Sequence, residues 1–264
     1  MGLSFKKVGI FYNPKKREAK RVIEILENWA SKNEIQVSIE DTEDIDLAMA
    51  IGGDGTVLYT LQRIAVKNIP VVGINTGRLG FLTTVEAKDI NKLLTSLENG
   101  NFFLEKHPVI KLCIDNKVYY AFNEVVLLKA ENTPLISLSL SFNGSIINTP
   151  PADGVIIATS SGSTAYALSA GGPVIFPEFD AFEVLPICAH SLSFRPLIFP
   201  LTKNIEILLP RKTMQIEVWV DGKEVELLSK KNEVRIEKAE FYTKLIFLSG
   251  WEFFNRLKKK LHWR

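Results

Sequence analysis

Cysteine and histidine are scarce in this chain of 264 residues, which has only two cysteines and three histidines. Cys113 and Cys188 lie far apart without CxxC spacing, each within an apolar stretch. We therefore expect buried thiols in a reducing compartment rather than a disulfide or a zinc site. His107, His190 and His262 are scattered and no GxSxG sequence is present, so the zinc-enzyme and serine-hydrolase interpretations are weak.

Long hydrophobic runs and a strong net charge are also missing. No segment approaches the ~18 consecutive apolar residues of a membrane span. Lys6 stands where a myristoylation signal needs Ser or Thr, and no signal-peptide pattern follows. The formal net charge of +2 gives no broad basic surface for nucleic acid. We expect a cytoplasmic globular protein that binds neither nucleic acid nor membrane.

Strand and helix patterns alternate over residues 1–100. Apolar strand runs lie at 8–12, 47–51 and 70–74, and helical periodicity lies at 22–29, 58–65 and 90–97. Asn13-Pro14 is expected to begin the first helix, and Asn99-Gly100 to end the last. This alternation predicts a doubly wound α/β domain.

Short strands joined by turns follow, over residues 101–245. Asn143-Gly144 and Asp221-Gly222 are strong hairpin dipeptides, and Asp115-Asn116 is a third turn. The helical signal largely disappears except at 165–170. This pattern predicts a mostly antiparallel β-sandwich domain.

The C-terminal segment 246–264 contains an amphipathic helix pattern. Phe253, Phe254, Leu257 and Leu261 form an apolar stripe among basic residues that include Arg256. Such a helix could bind a membrane surface. A helix docked on the protein with its lysines in solvent is the favoured interpretation.

The first chemical motif is Gly52-Gly53-Asp54-Gly55-Thr56, between an apolar strand and a helix. The carboxyl end of such a strand is where doubly wound sheets bind ligands. Glycines allow close approach of the backbone, Thr56 could cap the helix, and the helix N-terminus favours an anion such as phosphate. The sequence is neither a Walker A motif nor a GxGxxG fingerprint.

Asp54 is unexpected in a loop that would bind an anion, because a carboxylate repels phosphate. It could hold a cation that rides on the phosphates, or it could accept a proton from an attacking hydroxyl. Both roles belong to phosphoryl transfer. A tight turn in which Asp54 caps the helix is the alternative, and the residues alone do not choose between them.

A second glycine-spaced loop, residues 73–81, would emerge beside the first motif. Arg78 could bind phosphate or be a solvated cation, and Phe81 could line an adenine pocket or join the core. In the β domain, Asp153 precedes an apolar strand that leads into the hydroxyl-rich segment 159–173. That segment could bind sugar hydroxyls, phosphates or a purine edge, or it could be a turn rich in local hydrogen bonds.

Taken together, these motifs resemble the NAD kinase family. The similarity lies in order over residues 8–225, in five motifs: 52–56, 77–83, Asn123-Glu124, 162–173 and 190–196. Gly-Gly-Asp-Gly-Thr alone is shared with lipid kinases and phosphofructokinases, whereas the segment 162–173 is specific to the family.

The resemblance implies a fold, an activity and a site. The C-terminal segment 246–264 would return to the N-terminal domain. Asp54 would be the general base for the 2′-hydroxyl of the adenosine ribose of NAD, with ATP or polyphosphate as donor and Mg²⁺ or a similar cation present. The phosphate-donor loop would comprise Gly52, Gly53, Gly55, Thr56 and Arg78. The NAD-binding residues would be Asp54, Gly55, Phe81, Asn123, Glu124, Asp153, Ser161, Thr164, Ala165, Tyr166 and Ser169. Family members assemble as homodimers or homotetramers; the residues that bind metal directly are not identified.

The chain departs from the family pattern in three places. Ser160 replaces a proline, Tyr59 stands where many relatives have a basic residue, and Lys223 where glutamine is common. Two other hypotheses stay open. One is a diacylglycerol or sphingoid-base kinase of the same superfamily, and the other is a non-catalytic NAD-sensing module.

Overall fold

A computed structural model describes residues 5–77, 80–142, 144–191, 194–202, 204–209, 215–229, 232–249 and 252–262. The chain forms two compact units. Unit 1 comprises Met1–Lys106 and Thr243–Arg264, and unit 2 comprises His107–Tyr242. None of the helices in these described ranges is long and apolar enough to cross a membrane.

Unit 1 is built on a parallel sheet with the strand order β2-β1-β3-β4. Its strands are β1 (Lys7–Tyr12), β2 (Gln36–Ile39), β3 (Leu47–Gly52), β4 (Pro70–Asn75) and β5 (Val85–Glu86); its helices are α1 (Arg17–Lys32), α2 (Asp54–Ile64) and α3 (Ile90–Asn99), with 3₁₀ turns at Ala65–Lys67 and Ala87–Asp89. All six residues of β3 are buried, as expected of a central parallel strand.

Helices cover both faces of this sheet. α1 and α3 pack on one face, where Val22, Leu26, Leu93 and Leu97 join a core with the strands. α2 packs on the other face, and its Val57 lies against Gly73 of β4. The predicted end of α3 is confirmed, because Gly100 has a φ of 68° and caps the helix in the left-handed conformation.

The predicted start of α1 at Asn13-Pro14 is wrong, because the helix begins at Arg17. The Asn13 side chain instead accepts the Lys15 backbone N–H at 3.0 Å, and the Lys16 N–H bonds to the Asn13 carbonyl. Asn13 therefore forms a local turn before the helix, which is the other common use of asparagine.

Unit 2 consists of two sheets that enclose one apolar core. Its elements are β6 (Phe103–Ile114), β7 (Lys117–Ala121), β8 (Glu124–Lys129), β9 (Ser139–Phe142), β10 (Ser145–Asn148), β11 (Gly154–Thr159), a 3₁₀ turn (Ser161–Thr164), α4 (Tyr166–Ser169), β12 (Ala181–Ile187), β13 (Leu197–Pro200), β14 (Ile205–Leu208), β15 (Ile216–Val220), β16 (Lys223–Leu228) and β17 (Val234–Phe247). One sheet has the order β13-β12-β11-β8-β15-β16, and all of its pairings are antiparallel. The other contains β10-β9-β14-β17, with β6 paired to β17 and β7.

The predicted hairpins and fold class agree with this architecture. Turns at Asp115-Asn116 and Asp221-Gly222 join antiparallel strand pairs; Asn143 of the third predicted turn lies outside the described residues. A doubly wound α/β part followed by a β-sandwich is therefore confirmed. The domain boundaries at 100/101 and 245/246 stay a prediction, because compactness does not show that either part folds alone.

The end of the chain belongs to unit 1. Lys244 and Leu245 of β17 pair in parallel with β4, and α5 (Glu252–Leu261) follows. Phe253 and Leu257 of α5 are buried, but Phe254 is 47% exposed, so the predicted stripe is wrong at that position.

Three more predictions about single residues need correction. Arg256, grouped with the basic residues of α5, is only 4% exposed. Cys113 is half-buried rather than fully buried, and Cys188 is exposed with a φ of 49°. The apolar neighbours of Cys188 in the sequence therefore do not place its own side chain in the core.

Candidate active site

The Gly-Gly-Asp-Gly-Thr motif forms the junction between β3 and α2 in unit 1. β3 ends at Gly52 and α2 begins at Asp54, so Thr56 lies in the first turn of the helix rather than at its cap. A Cβ on Gly52 would lie 2.0 Å from Thr56 Oγ1, which excludes any other residue there. A Cβ on Gly53 or Gly55 would meet nothing within 4 Å, so these two glycines border open space.

The Asp54 carboxylate is held by the backbone of the second glycine loop. The Phe81 N–H donates to Oδ2 at 2.8 Å, and the Leu82 N–H donates to Oδ1 at 3.0 Å. Each oxygen therefore keeps one of its roughly two lone-pair positions for another donor. Asp54 is half-buried, and these two backbone bonds fix the direction of its carboxylate.

Gly80 is what lets the second loop approach Asp54. A Cβ at this position would lie 1.8 Å from Oδ1 and 2.4 Å from Cγ of Asp54. Only a residue without a side chain can occupy the position while the carboxylate is in place. The glycine spacing in the loop is thus explained by the space that Asp54 needs.

Side-chain hydrogen bonds hold the second loop in shape. Asn75 Oδ1 accepts the Gly77 N–H at 2.6 Å, and Thr83 Oγ1 is within 3.3 Å of the Gly80 N–H. Asn75 Nδ2 also donates to Thr83 Oγ1 at 3.2 Å. Arg78, predicted as a phosphate ligand, lies outside the described residues, and its role stays a prediction.

A cleft of about 830 Å³ opens beside the first motif. It is lined by Tyr12, Asn13, Pro14, Lys16, Glu40, Gly53, Gly55, Thr56, Tyr59 and Arg63. Asp54 lies between two lining residues, Gly53 and Gly55. The cleft is large enough for a nucleotide-sized ligand.

One wall of this cleft is a hydrogen-bonded cluster of Glu40, Tyr59 and Arg63. The Tyr59 hydroxyl donates to Glu40 Oε2 at 3.0 Å and accepts from Arg63 Nη1 at 2.9 Å. Arg63 Nη2 also donates to the Glu40 carbonyl at 2.7 Å. Tyr59 therefore contributes a hydroxyl to a fixed network. Neither Glu40 nor Arg63 was predicted at the site, because Glu40 is 19 residues or more from its partners in the chain.

In unit 2, Asn123 and Glu124 lie at the start of β8, and Asp221 holds them there. The Asp221 carboxylate accepts the backbone N–H groups of Phe122, Asn123 and Glu124 at 2.8 to 3.2 Å. Both Asn123 and Glu124 are buried. Asp221 was predicted only as a turn residue, and its contact with these N–H groups was not visible in the sequence.

Two buried glutamates flank Ala158 in the register of the same sheet. Glu124 of β8 and Glu183 of β12 both pair with Ala158 of β11. Burial, together with the nearby Asp221 charge, raises the pKa of Glu124 to about 7, although a hydrogen bond from the Tyr166 backbone opposes the shift. Burial alone raises the pKa of Glu183 to about 7. These two carboxyls therefore keep their protons to a higher pH than ordinary surface glutamates do.

Most hydroxyls of the segment 159–164 are used within the protein. Ser160 Oγ donates to the Pro177 carbonyl at 2.7 Å, and Ser163 Oγ donates to the Ser160 carbonyl at 2.6 Å. Thr164 Oγ1 donates to the Ser161 carbonyl at 3.1 Å. For the hydroxyls of Ser160, Ser163 and Thr164, these contacts favour the interpretation as a locally bonded turn.

Ser161 differs, because its hydroxyl lies 2.6 Å from Nδ1 of the buried His107. Gly162 fits tightly behind it, since a Cβ there would lie 2.1 Å from the Asn123 carbonyl oxygen. The hydroxyl-rich turn and the Asn123-Glu124 pair are thus packed directly together. Isolated in the sequence, His107 had not been assigned any partner.

Comparison with known proteins decides the family. Models described as the ATP-NAD kinase N-terminal and C-terminal domains match residues 37–102 and 122–248. A NAD kinase of Treponema denticola is 36% identical, with 98% of this chain aligned to 96% of that protein. The chain belongs to the NAD kinase family. A NAD kinase of Clostridium botulinum is also 36% identical, over 85% of this chain and 81% of the relative.

Solved structures of the NAD kinase family have the same fold. The Archaeoglobus fulgidus NAD kinase in complex with ATP has a TM-score of 0.79 and 28% identity, covering 97% of this chain and 98% of its own. Yeast NADH kinase complexed with NADH has a TM-score of 0.89 and 22% identity, covering 99% of this chain and 89% of its own. The resemblance inferred from the motifs is confirmed.

The structure brings together some residues implied by the NAD kinase family and separates one. In unit 2, Asn123, Glu124, Ser161 and Tyr166 all lie at one end of β11. Asp153 lies at the other end of that strand, about 20 Å away at ~3.3 Å per residue, where it faces Lys129 at 3.8 Å. Its assignment to the same NAD site stays a prediction, and the geometry of unit 2 does not support it.

The remaining residues implied by the NAD kinase family are accessible. Tyr166 is 43% exposed and Ser169 is exposed, while Thr164 and Ala165 are half-buried. Phe81 is half-buried in unit 1, with its N–H on Asp54.

Proposed function

We propose that this protein transfers the γ-phosphoryl group of ATP to the 2′-hydroxyl of the adenosine ribose of NAD, giving NADP and ADP, with Asp54 as general base. The observation that carries the proposal is the Asp54 carboxylate, which two backbone N–H groups hold in direction between Gly53 and Gly55, two residues that line an open cleft. Membership of the NAD kinase family supports the choice of NAD as acceptor. The similar Archaeoglobus NAD kinase, solved in complex with ATP, supports the choice of donor.

The proposed chemistry is a single displacement at phosphorus. The 2′-hydroxyl loses its proton to Asp54 as its oxygen forms a bond to the γ-phosphorus. The bond from that phosphorus to the β–γ bridging oxygen breaks, and ADP leaves with the electron pair. A positioned base of this kind contributes about 10²–10⁴-fold, and positioning and charge stabilisation supply much of the rest.

The donor phosphates would lie on the Gly52–Thr56 segment. Gly53 and Gly55 border open space there, so the backbone can be approached closely. The Thr56 and Val57 N–H groups donate to the Gly53 carbonyl at 2.9 and 3.2 Å, so it is the partial positive charge at the N-terminus of α2, rather than these two donors, that favours an anion there. Arg78 would add a positive charge to the phosphate-donor loop.

In unit 1, the proposed NAD contacts are Asp54, Gly55 and Phe81. In unit 2 they are Asn123, Glu124, Ser161, Thr164, Ala165, Tyr166 and Ser169, while Asp153 lies at the other end of β11 and is not included in this set. The unit 2 residues would bind adenosine and ribose, through polar groups at the start of β8 and the exposed ring of Tyr166.

A divalent cation, Mg²⁺, would neutralise charge on the donor phosphates when bound. The described part of the chain contains no group of three acidic, histidine or cysteine side chains that could hold it. Mg²⁺ is commonly held by one or two carboxylates together with substrate phosphates, so a site in which the donor phosphates supply many of the ligands fits this chain. The enzyme would act in the cytoplasm as a homodimer or homotetramer.

A direct assay tests this function. Purified protein is incubated with NAD and Mg²⁺ plus ATP, polyphosphate or no donor, and NADP is measured with an NADP-specific dehydrogenase. We expect donor-dependent NADP formation. A second acceptor series with diacylglycerol or a sphingoid base in vesicles separates the lipid kinases. Phosphorylated lipid without NADP, or no product with any donor, would contradict the proposal.

A further inference from the structure

Arg256 of α5 donates from Nη1 to the Phe81 carbonyl oxygen at 2.5 Å. That carbonyl belongs to the same peptide group as the Leu82 N–H, because one peptide unit joins the two residues. The Leu82 N–H in turn donates to Asp54 Oδ1 at 3.0 Å. A continuous chain of hydrogen bonds therefore runs from the guanidinium through one peptide group to the carboxylate.

We infer that Arg256 is a positioning residue for Asp54, acting through the peptide group of Phe81 and Leu82; this rests on the proposed role of Asp54 as base. A cation on the carbonyl oxygen polarises the peptide, which makes its N–H a stronger donor. A stronger donor holds the carboxylate in one direction, and catalysis by a base depends on that direction.

The burial of Arg256 supports a role beyond docking of the helix. Its guanidinium lies 4.1 Å from the centroid of the Phe247 ring, in a site where the residue is 4% exposed. Phe253 and Leu257 already bury the apolar side of α5. Burying a guanidinium costs free energy, and an apolar side chain would serve packing equally well.

Further contacts restrain Phe81 from the same helix. Lys260 Nζ lies 4.7 Å from the centroid of the Phe81 ring, and the Phe253 ring centroid lies 6.3 Å from it. These contacts hold the ring, whereas Arg256 contacts the peptide that binds Asp54. Lys260 therefore provides a matched control, because its removal takes a cation away from the Phe81 ring and leaves the hydrogen-bond chain intact.

The test compares Arg256→Met, Arg256→Lys and Lys260→Met in the full-length chain. For each we would measure kcat and both KM values, the melting temperature, and the Leu82 amide proton shift by NMR. We expect Arg256→Met to lower kcat about three- to tenfold, with KM values within about twofold. The Leu82 amide proton should move upfield. Arg256→Lys should recover part of both changes, and Lys260→Met should resemble the unmodified protein.

Several outcomes would overturn the inference. An unchanged Leu82 shift or an unchanged kcat in Arg256→Met would show that Arg256 does not position Asp54 through this chain of hydrogen bonds. An equal loss of kcat in Lys260→Met would show the same. If Arg256→Met does not fold, Arg256→Lys takes its place in the test. An Arg256→Lys variant with a shifted Leu82 amide but the kcat of the unmodified protein would contradict the inference. If the unmodified protein forms no NADP, the proposed function fails, while the Leu82 shift still reports whether the hydrogen-bond chain exists.

Discussion

Gly80 and Asp54 occupy adjoining space so closely that a Cβ on the glycine would lie 1.8 Å from Asp54 Oδ1. The spacing between the two glycine loops thus has a physical cause, because the second loop must deliver two N–H groups to the carboxylate without a side chain in the way. The base of the proposed reaction is therefore held by backbone rather than by another side chain. Because both donors are backbone N–H groups, neither of these two hydrogen bonds involves a second side chain that titrates.

Gly80→Ala should lower kcat strongly, because the new methyl group forces the Asp54 carboxylate or the loop to move. A loss of about 10²-fold is expected, since base catalysis is worth that order. NAD affinity, measured by calorimetry, should change little. Gly77→Ala is the matched control in the same loop, because its nearest neighbour to the added Cβ is 3.6 Å away. Equal rates for the two variants would contradict the explanation.

Tyr166→Ala should weaken NAD binding more than ATP binding. The Tyr166 side chain is 43% exposed and its backbone bonds to Glu124, whereas every described residue that lines the cleft beside Asp54 belongs to unit 1. A ring that stacks on or covers a ligand contributes about 1 kcal/mol or more, which is about five- to tenfold in the dissociation constant. Calorimetry with each nucleotide measures this, and an unchanged NAD affinity would remove Tyr166 from the site.

Glu183→Gln should change how stability depends on pH. Burial raises the pKa of Glu183 to about 7, above the unfolded value near 4.5, and neither oxygen has a hydrogen-bond partner among the described residues. The native state therefore keeps its proton while the unfolded state loses it. The free energy of unfolding should fall as pH rises from about 4.5 to 7, by about 1.4 kcal/mol per pH unit for this group.

Urea unfolding at pH 5 and pH 8 tests this sign. At pH 8 Glu183→Gln should be more stable than the unmodified protein, by up to about 3 kcal/mol, and at pH 5 the difference should be much smaller. Glu124, whose pKa is raised for a similar reason, contributes the same sign in both proteins and cancels in the comparison. A constant difference across the pH range would show that Glu183 does not titrate as described.

The fold could be predicted from the sequence where a local pattern determines it. The buried run of β3, the glycine cap of α3 and the turn at Asp221-Gly222 each follow from neighbouring residues, and each is confirmed. The start of α1 was missed because asparagine before proline is compatible with both a cap and a local turn. Only the hydrogen bond to Lys15 shows which one forms.

The contacts that position the site could not be predicted, because they join residues far apart in the chain. Arg256 and Phe81 are 175 residues apart, and Asp221 holds residues nearly 100 positions earlier. Asp54 itself was identified, since a carboxylate among glycines after a buried strand is chemically unusual. Its donors Phe81 and Leu82 use their backbone, which leaves no signature in the side chains.

Asp54→Asn gives the most direct measurement of the central claim. The amide keeps the size of the side chain but cannot take the proton of the ribose 2′-hydroxyl. We expect NADP formation to be nearly abolished while NAD binding, measured by calorimetry on the same preparation, is retained. If Asp54→Asn keeps more than about a tenth of the rate, the 2′-hydroxyl does not depend on Asp54 as its base.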